Sequence, residues 1–392
     1  MGLGILGGGL TGLALADRYG EGCEILEGDA ACGGLCRTIV HDGLSFDFGG
    51  HILFSRDREA LDYLLGALGD NVVRYRRNNR IWFKGGFVKY PFENDLAALP
   101  KQDAFECLHG FLTRDYAEPG NFREWCYYRF GKGIAERYLI PYNEKIWKTD
   151  PSALGLEWVG GRVPEPPLED VLKSALGIET EGYTHQLYFH YPRAGGIEAL
   201  VRAIEGRVRA VEKNFPVRKI RRRGGEWIVS DGRREKAYDR LVSTIPLPDL
   251  LGAMDGVPPA IRDAARGLRN NSIICVMVAF RAERPSERFA VYFPQPRLIF
   301  HRVCFYDYFG GCCTPPGVSS AVAEVTAREG GEISAMTDEE LAERVAAGLE
   351  GEGFLSRGDV VATRVARRKY AYVVNDLGYA DAVAAVRGFV RE

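Results

Sequence analysis

The chain opens with a short apolar run at 3–6 that breaks into Gly7-Gly8-Gly9. Apolar residues then return at helical spacing through Leu13-Ala14-Leu15-Ala16. Cys23-Glu24-Ile25-Leu26 follows as a second apolar strand, so the opening reads strand, turn, helix, strand. Between 40 and 54 the pattern predicts two strands around Asp42-Gly43 and then a bend at Gly49-Gly50-His51. Leu61, Leu64, Leu65 and Leu68 place a helix over 58–68, and 81–90 reads as a hairpin turning at Gly85-Gly86. From 95 to 174 the texture is helical (103–113, 121–129 and 133–139), with connections punctuated by Pro141, Pro151, Pro164, Pro166 and Pro167. Strands resume at 186–191, 215–221, 227–230 and 240–244, with a helix at 196–205. The stretch 272–365 alternates strands with one strong helix at 337–349, whose Asp338 and Glu339 suit a helix N-terminus.

The first turn carries the most chemistry. Gly7-x-Gly9-x-x-Gly12 lies between an apolar strand and a helix. The free N–H groups and dipole of such a helix start favour a pyrophosphate. One glycine makes the turn, the next lets phosphate approach the backbone, and the third lets helix and strand pack closely. Glu27 ends the second strand about 20 residues later, where a ribose hydroxyl needs an acceptor.

Composition narrows the class. With 392 residues, 46% hydrophobic, the chain has core enough for two or three structural units. A formal net charge of −2 gives no broad footprint for nucleic acid. The basic run Arg218-Lys219-Ile220-Arg221-Arg222-Arg223 abuts Gly224-Gly225 and reads as a solvated hairpin end. No apolar run reaches the roughly 18 residues of a membrane helix, and the start lacks a basic leader, so a cytoplasmic enzyme is expected. Nine scattered cysteines, Cys312-Cys313 among them, and six dispersed histidines make no zinc pattern and suggest reduced, buried thiols. No metal site is expected.

The second glycine pair, Gly33-Gly34, resembles the double-glycine motif of the FAD-binding amine-oxidase-like superfamily, and it favours FAD over a nicotinamide. Further blocks are more specific: Phe48-Gly49-Gly50-His51-Ile52-Leu53-Phe54-Ser55, Lys89-Tyr90-Pro91-Phe92-Glu93-Asn94 and Pro141-Tyr142-Asn143-Glu144-Lys145-Ile146-Trp147. Trp158 with Arg162-Val163, Tyr191-Pro192-x-x-Gly195-Gly196, and Tyr292-Phe293-Pro294 before Arg302 complete the set. In this order, from Leu3 to about Tyr372, they resemble the UDP-galactopyranose mutases, especially the eukaryotic-type branch and its prokaryotic relatives.

That resemblance implies a Rossmann-like α/β FAD-binding domain with a helical insertion and an antiparallel-sheet substrate domain. It divides the chain into 1–88 with 186–245 for FAD, 89–185 for the insertion, 246–372 for the substrate domain and 373–392 as a return to the FAD domain. It implies a redox-neutral interconversion of UDP-galactopyranose and UDP-galactofuranose, in which reduced flavin N5 attacks the anomeric carbon and UDP departs. Expected cofactor contacts are Gly7, Gly9, Thr11, Gly12, Glu27, Gly33, Gly34, Gly49, Gly50 and Val217. His51 is expected on a redox-responsive loop by the flavin. Arg162 and Arg302 are expected to hold the diphosphate as two rigid donor forks. Tyr90 and Phe92 are expected against uracil, Tyr292 and Tyr372 near the diphosphate, and Asn143 and Trp147 on the substrate side. NAD(P)H is compatible as external reductant, and a homo-oligomer is compatible with the family.

Three departures accompany the resemblance. Glu93 stands where the family usually has Gln, and an ionised carboxylate cannot donate to a uracil carbonyl. Phe309 replaces a tyrosine. The family's later Gly-Arg-Phe-Gly block has no counterpart before Glu392, so the C-terminal part of the FAD domain is expected to be missing. The alternative reading is an FAD-dependent oxidase of the protoporphyrinogen or amine type; a non-catalytic binding protein is a third.

Overall fold

The computed structural model describes residues 2–160, 162–163, 165–180, 187–283, 286–310 and 313–391. Pro164, Cys312 and the first residue of the strand expected at 186 lie outside these. The apolar run Leu3–Leu6 is fully buried as a strand, flanked in parallel register by Arg240–Ser243 and Cys23–Leu26. Val211–Glu212 extends this into a four-stranded parallel sheet. Leu13 and Ala16 of the Leu10–Tyr19 helix share its core with Leu200, Val201 and Ile204 of the Glu198–Glu205 helix. Parallel neighbours need long crossovers; here the connection from Cys23–Leu26 to Val211–Glu212 contains the helical insertion. A three-stranded antiparallel sheet, Lys219–Arg223, Glu226–Ser230 and Glu235–Tyr238, follows.

The second layer is a seven-stranded sheet in the order Val360–Val373, Asn270–Arg281, Val318–Ala327, Arg302–Phe305, Ala290–Tyr292, Asn79–Phe83, Gly86–Lys89. It is antiparallel except where Ala290–Tyr292 runs parallel to Asn79–Phe83. The long strand Asn270–Arg281 is apolar from Ile273 to Phe280 because both its faces are covered there. Ile274, Val276 and Val278 pack with Leu341, Val345 and Leu349 of the Asp338–Gly351 helix. Ile273, Cys275, Met277 and Ala279 share the core of the dinucleotide-binding layer. The hairpin expected at 81–90 forms, but it joins this sheet although it lies early in the chain. Trp82 and Phe87 explain this, since they need the aromatic surface of Phe354.

Helices Lys101–Leu112, Phe122–Ile134 and Ile140–Trp147 form the insertion around Phe92, Phe111, Phe122 and Phe130. The segment expected as a helix at 133–139 is a wide π turn, Ala135–Leu139, joining two of them. The last helix, Tyr379–Arg391, buries Val386 with Leu251, Val257 and Ala265. All described cysteines are free, and no described helix is long and apolar enough to cross a membrane.

Candidate active site

The glycine turn is built as a cradle. A Cβ on Gly12 would lie 2.0 Å from the Gly7 carbonyl oxygen, so this position is closed by helix–strand packing. A Cβ on Gly9 would meet nothing within 4 Å. The open space therefore lies in front of the start of the Leu10–Tyr19 helix, where a phosphate gains from the helix dipole. Glu27 accepts from the Gly8 N–H at 2.7 Å and from the Asp29 N–H at 2.8 Å, which fixes its carboxylate at the turn. Gly33 donates to the Gly8 carbonyl at 2.8 Å and bridges Gly9, bringing both glycine motifs together. Thr11 is exposed in the first helical turn, and Val217 is half-buried among Phe215 and its neighbours.

The Gly49-Gly50-His51 bend is held from two sides. The Tyr306 hydroxyl donates to the Gly49 carbonyl at 2.8 Å, and the Gly50 N–H donates to Glu324 Oε1 at 2.9 Å. Just before the bend, Asp47 accepts from Thr38 Oγ1 at 2.5 Å, Tyr191 at 2.6 Å and the Ile197 N–H at 3.2 Å. Burial raises the Asp47 carboxyl to about 6 despite these donors. His51 Nδ1 is buried and has no hydrogen-bond partner among the described residues. Burial lowers the His51 pKa, Glu324 opposes the shift and Arg302 adds to it. A neutral imidazole with one unused ring nitrogen is poised for a ligand hydrogen bond.

Glu324 is the residue that sequence reasoning missed, although it organises the site. It lies in Val318–Ala327, is wholly buried, and receives Arg302 through Nε at 3.0 Å and a terminal nitrogen at 2.7 and 2.8 Å. His301 Nε2 stands 3.6 Å away and the Tyr372 hydroxyl 3.4 Å. Burial pushes the Glu324 carboxyl up, but Arg302 and His301 override it and hold it well below the usual carboxylate range. Its only sequence signal is a lone charge in a strand of small and apolar residues. Glu324 thus connects the His51 bend, Arg302 and Tyr372.

Tyr292 continues this wall. Its ring stacks on Tyr90 at 4.9 Å and meets Tyr142 edge-on, while its hydroxyl accepts from Asn79 Nδ2 at 3.2 Å. Trp147 donates to Asn143 Oδ1 at 2.9 Å and Asn143 donates to the Leu139 carbonyl at 2.8 Å; the Trp147 ring then packs edge-on to Tyr372. Lys145 on the same helix is buried and donates to the Phe293 and Gln295 carbonyls at 2.7 and 2.9 Å, tying this helix to the loop after Tyr292.

Arg77 was also missed. Its Nε and one terminal nitrogen are buried without partners among the described residues. Burial lowers its proton affinity; Tyr292 and Tyr90 oppose this, and Arg302 adds to it. Arg77 lines a cavity of about 500 Å³ with Arg76, Arg80, Lys89, Tyr90 and Asn79. Arg162, by contrast, is exposed and its side chain takes no part in the Arg302 cluster. Phe92 is fully buried, stacked on Tyr138 at 5.3 Å, and so packs in the helical core. Glu93 is buried beside Tyr90 and contributes to that phenol's raised pKa.

Comparison with known proteins bears on the family and the fold. Residues 12–351 match the family model of flavin containing amine oxidoreductases. A crystal structure of reduced UDP-galactopyranose mutase superposes with a TM-score of 0.90 at 25% identity, covering 100% of this chain and 88% of the other. A putative protoporphyrinogen oxidase from Exiguobacterium sp. 255-15 gives 0.77 at 19% identity, over 99% and 90% of the two chains. A redesigned putrescine oxidase gives 0.64 at 16% identity, over 97% and 90%.

Proposed function

Because the chain belongs to the flavin containing amine oxidoreductase family, we propose that it binds FAD and acts on a nucleotide sugar, interconverting UDP-galactopyranose and UDP-galactofuranose. The residues fit the cofactor: Gly9 leaves room for the pyrophosphate, Glu27 stands at the ribose position, and His51 offers an unpartnered ring nitrogen. When bound and reduced, the flavin supplies a nucleophilic nitrogen for the anomeric carbon.

The chain's own residues handle the leaving group. Arg302, oriented by Glu324, and Arg77, buried with unused donors, offer two guanidiniums to a diphosphate. Stabilising the charge that develops on the departing phosphate lowers the barrier. Tyr292 and Tyr372 flank this position, and Tyr90, stacked on Tyr292, lines the cavity that would take a flat base. The observation that carries the reading is the basic cavity wall of Arg76, Arg77, Arg80 and Lys89, opposed among its lining residues by Asp95 and Glu179. Such a surface draws in an anionic nucleotide and repels the ammonium substrate of an amine oxidase.

The test is incubation of dithionite-reduced protein with UDP-galactopyranose and chromatographic detection of the furanose form. Arg302→Ala is expected to reduce turnover by at least about a hundredfold, the scale of losing one oxyanion donor. Absence of furanose product, together with oxidation of an amine or a porphyrinogen, overturns the proposal.

A further inference from the structure

Arg368 is a charge on an inward sheet face. It pairs with Ile273 across two antiparallel strands, so both side chains leave the sheet on the same side. That side carries Ile273, Cys275 and Met277 and faces the dinucleotide-binding layer. Its guanidinium lies 4.2 Å from the centre of the Phe48 ring, directly before the Gly49-Gly50-His51 bend. Its hydrogen bond goes to the neighbouring Arg367 carbonyl at 3.1 Å, and it forms no ion pair among the described residues. Burial lowers its proton affinity, and so does the second cation, Arg37; Asp29 opposes the shift.

Arg37 belongs to the other landmark of the cofactor site. Its Cγ lies 3.0 Å from where a Cβ on Gly33 would sit. Its guanidinium reaches Asp29 at 3.4 Å, a long contact to a carboxylate that is 67% exposed. Two cations that repel each other, with one solvated acid near them, are destabilising unless an anion joins them. Arg37 adjoins the glycine turn and Arg368 adjoins the His51 bend. On the flavin reading, a dinucleotide held at one end by the turn and at the other by His51 would run past both.

We propose that Arg37 and Arg368 form an anion-binding pair that grips the phosphates of the bound flavin dinucleotide. The pair rests on the flavin reading and not on the sugar chemistry. Two guanidinium forks suit a pyrophosphate because each presents parallel donors to its oxygens.

The experiment titrates the full chain with FAD and with riboflavin, following quenching of flavin fluorescence, for the wild type, Arg37→Met and Arg368→Met. FAD affinity is expected to fall roughly ten- to hundredfold in each variant, the range for losing a hydrogen bond to a charged group. Riboflavin, which has no phosphate, is expected to bind all three proteins equally. Unchanged FAD affinity in Arg368→Met overturns the proposal, as does an equal fall for FAD and riboflavin. If circular dichroism shows that either methionine variant is unfolded, Arg37→Gln and Arg368→Gln replace them and are read in the same way. Absence of mutase activity in every sample leaves this result untouched, since no sugar enters the measurement.

Discussion

Replacing Glu324 by Gln keeps the side chain's shape and removes its charge. In the wild type the carboxylate meets Arg302 through three contacts of 2.7–3.0 Å and also accepts the Gly50 N–H. At 2.8 Å and an effective dielectric near 20, the charge pair is worth roughly 6 kcal/mol before desolvation is counted. Much of that attraction offsets the cost of burying both groups, so the pair itself adds little net stability. Removing one partner is different, because Arg302 remains, mostly buried and uncompensated. The amide also turns an N–H group toward a donor, since one carbonyl oxygen cannot serve both carboxylate positions. The expected loss is about 3–5 kcal/mol at pH 7, read from urea unfolding followed by circular dichroism. The pH dependence sharpens the test. The Glu324 pKa is depressed below the ordinary 4.5, so its contribution is complete above that value and is lost as pH falls through the lower folded-state value. The gap between wild type and Glu324→Gln should therefore be equal at pH 7 and pH 5. A loss below about 1 kcal/mol would place the pair with ordinary surface bridges and refute the argument.

Two glycine substitutions should behave oppositely. Gly9→Ala is expected to leave the melting temperature of the flavin-free protein unchanged while abolishing the flavin absorbance of the purified protein, because the added methyl enters only the phosphate space. Gly12→Ala places a carbon 2.0 Å from a carbonyl oxygen and is expected to lower the melting temperature with or without flavin. Asp47 gives a pH signature of opposite sign to that of Glu324. Its carboxyl is raised from 3.8 to about 6, so its contribution is complete below pH 3.8 and is lost as pH rises through 6. The stability of the wild type relative to Asp47→Asn should fall by up to roughly 3 kcal/mol between pH 4 and pH 7, at about 1.4 kcal/mol per pKa unit. A flat difference across that range would show that Asp47 stays ionised. Arg77→Met is expected to weaken UDP binding at least about tenfold in calorimetry, whereas Arg162→Met tests whether an arginine that is exposed here reaches the ligand at all.

The parts of the molecule that were legible in the sequence are those whose chemistry is local. The dinucleotide turn is set by three glycines whose spacing closes one position and opens another, and Glu27 sits at a fixed distance along the same unit. The hairpin at 81–90 was visible in its alternation, but its sheet was not, because the partner strand Ala290–Tyr292 lies some 200 residues away. Tertiary packing likewise sets the surroundings of Phe92, which the resemblance put against uracil and which packs here against Phe83 and Tyr138 in the core. Glu324 and Arg77 escaped notice for one shared reason. Each is an unremarkable charge in its own segment and gains its meaning from groups in other elements, among them one far along the chain: Gly50 for the first and Tyr292 for the second. Motifs therefore marked the proposed cofactor cradle, while the groups proposed to orient a substrate's charge emerged only once distant strands were brought side by side. A buried acid in a strand otherwise fit for a hydrophobic core has to be matched by a cation, and in this protein that cation is the arginine on which the proposed leaving-group chemistry depends.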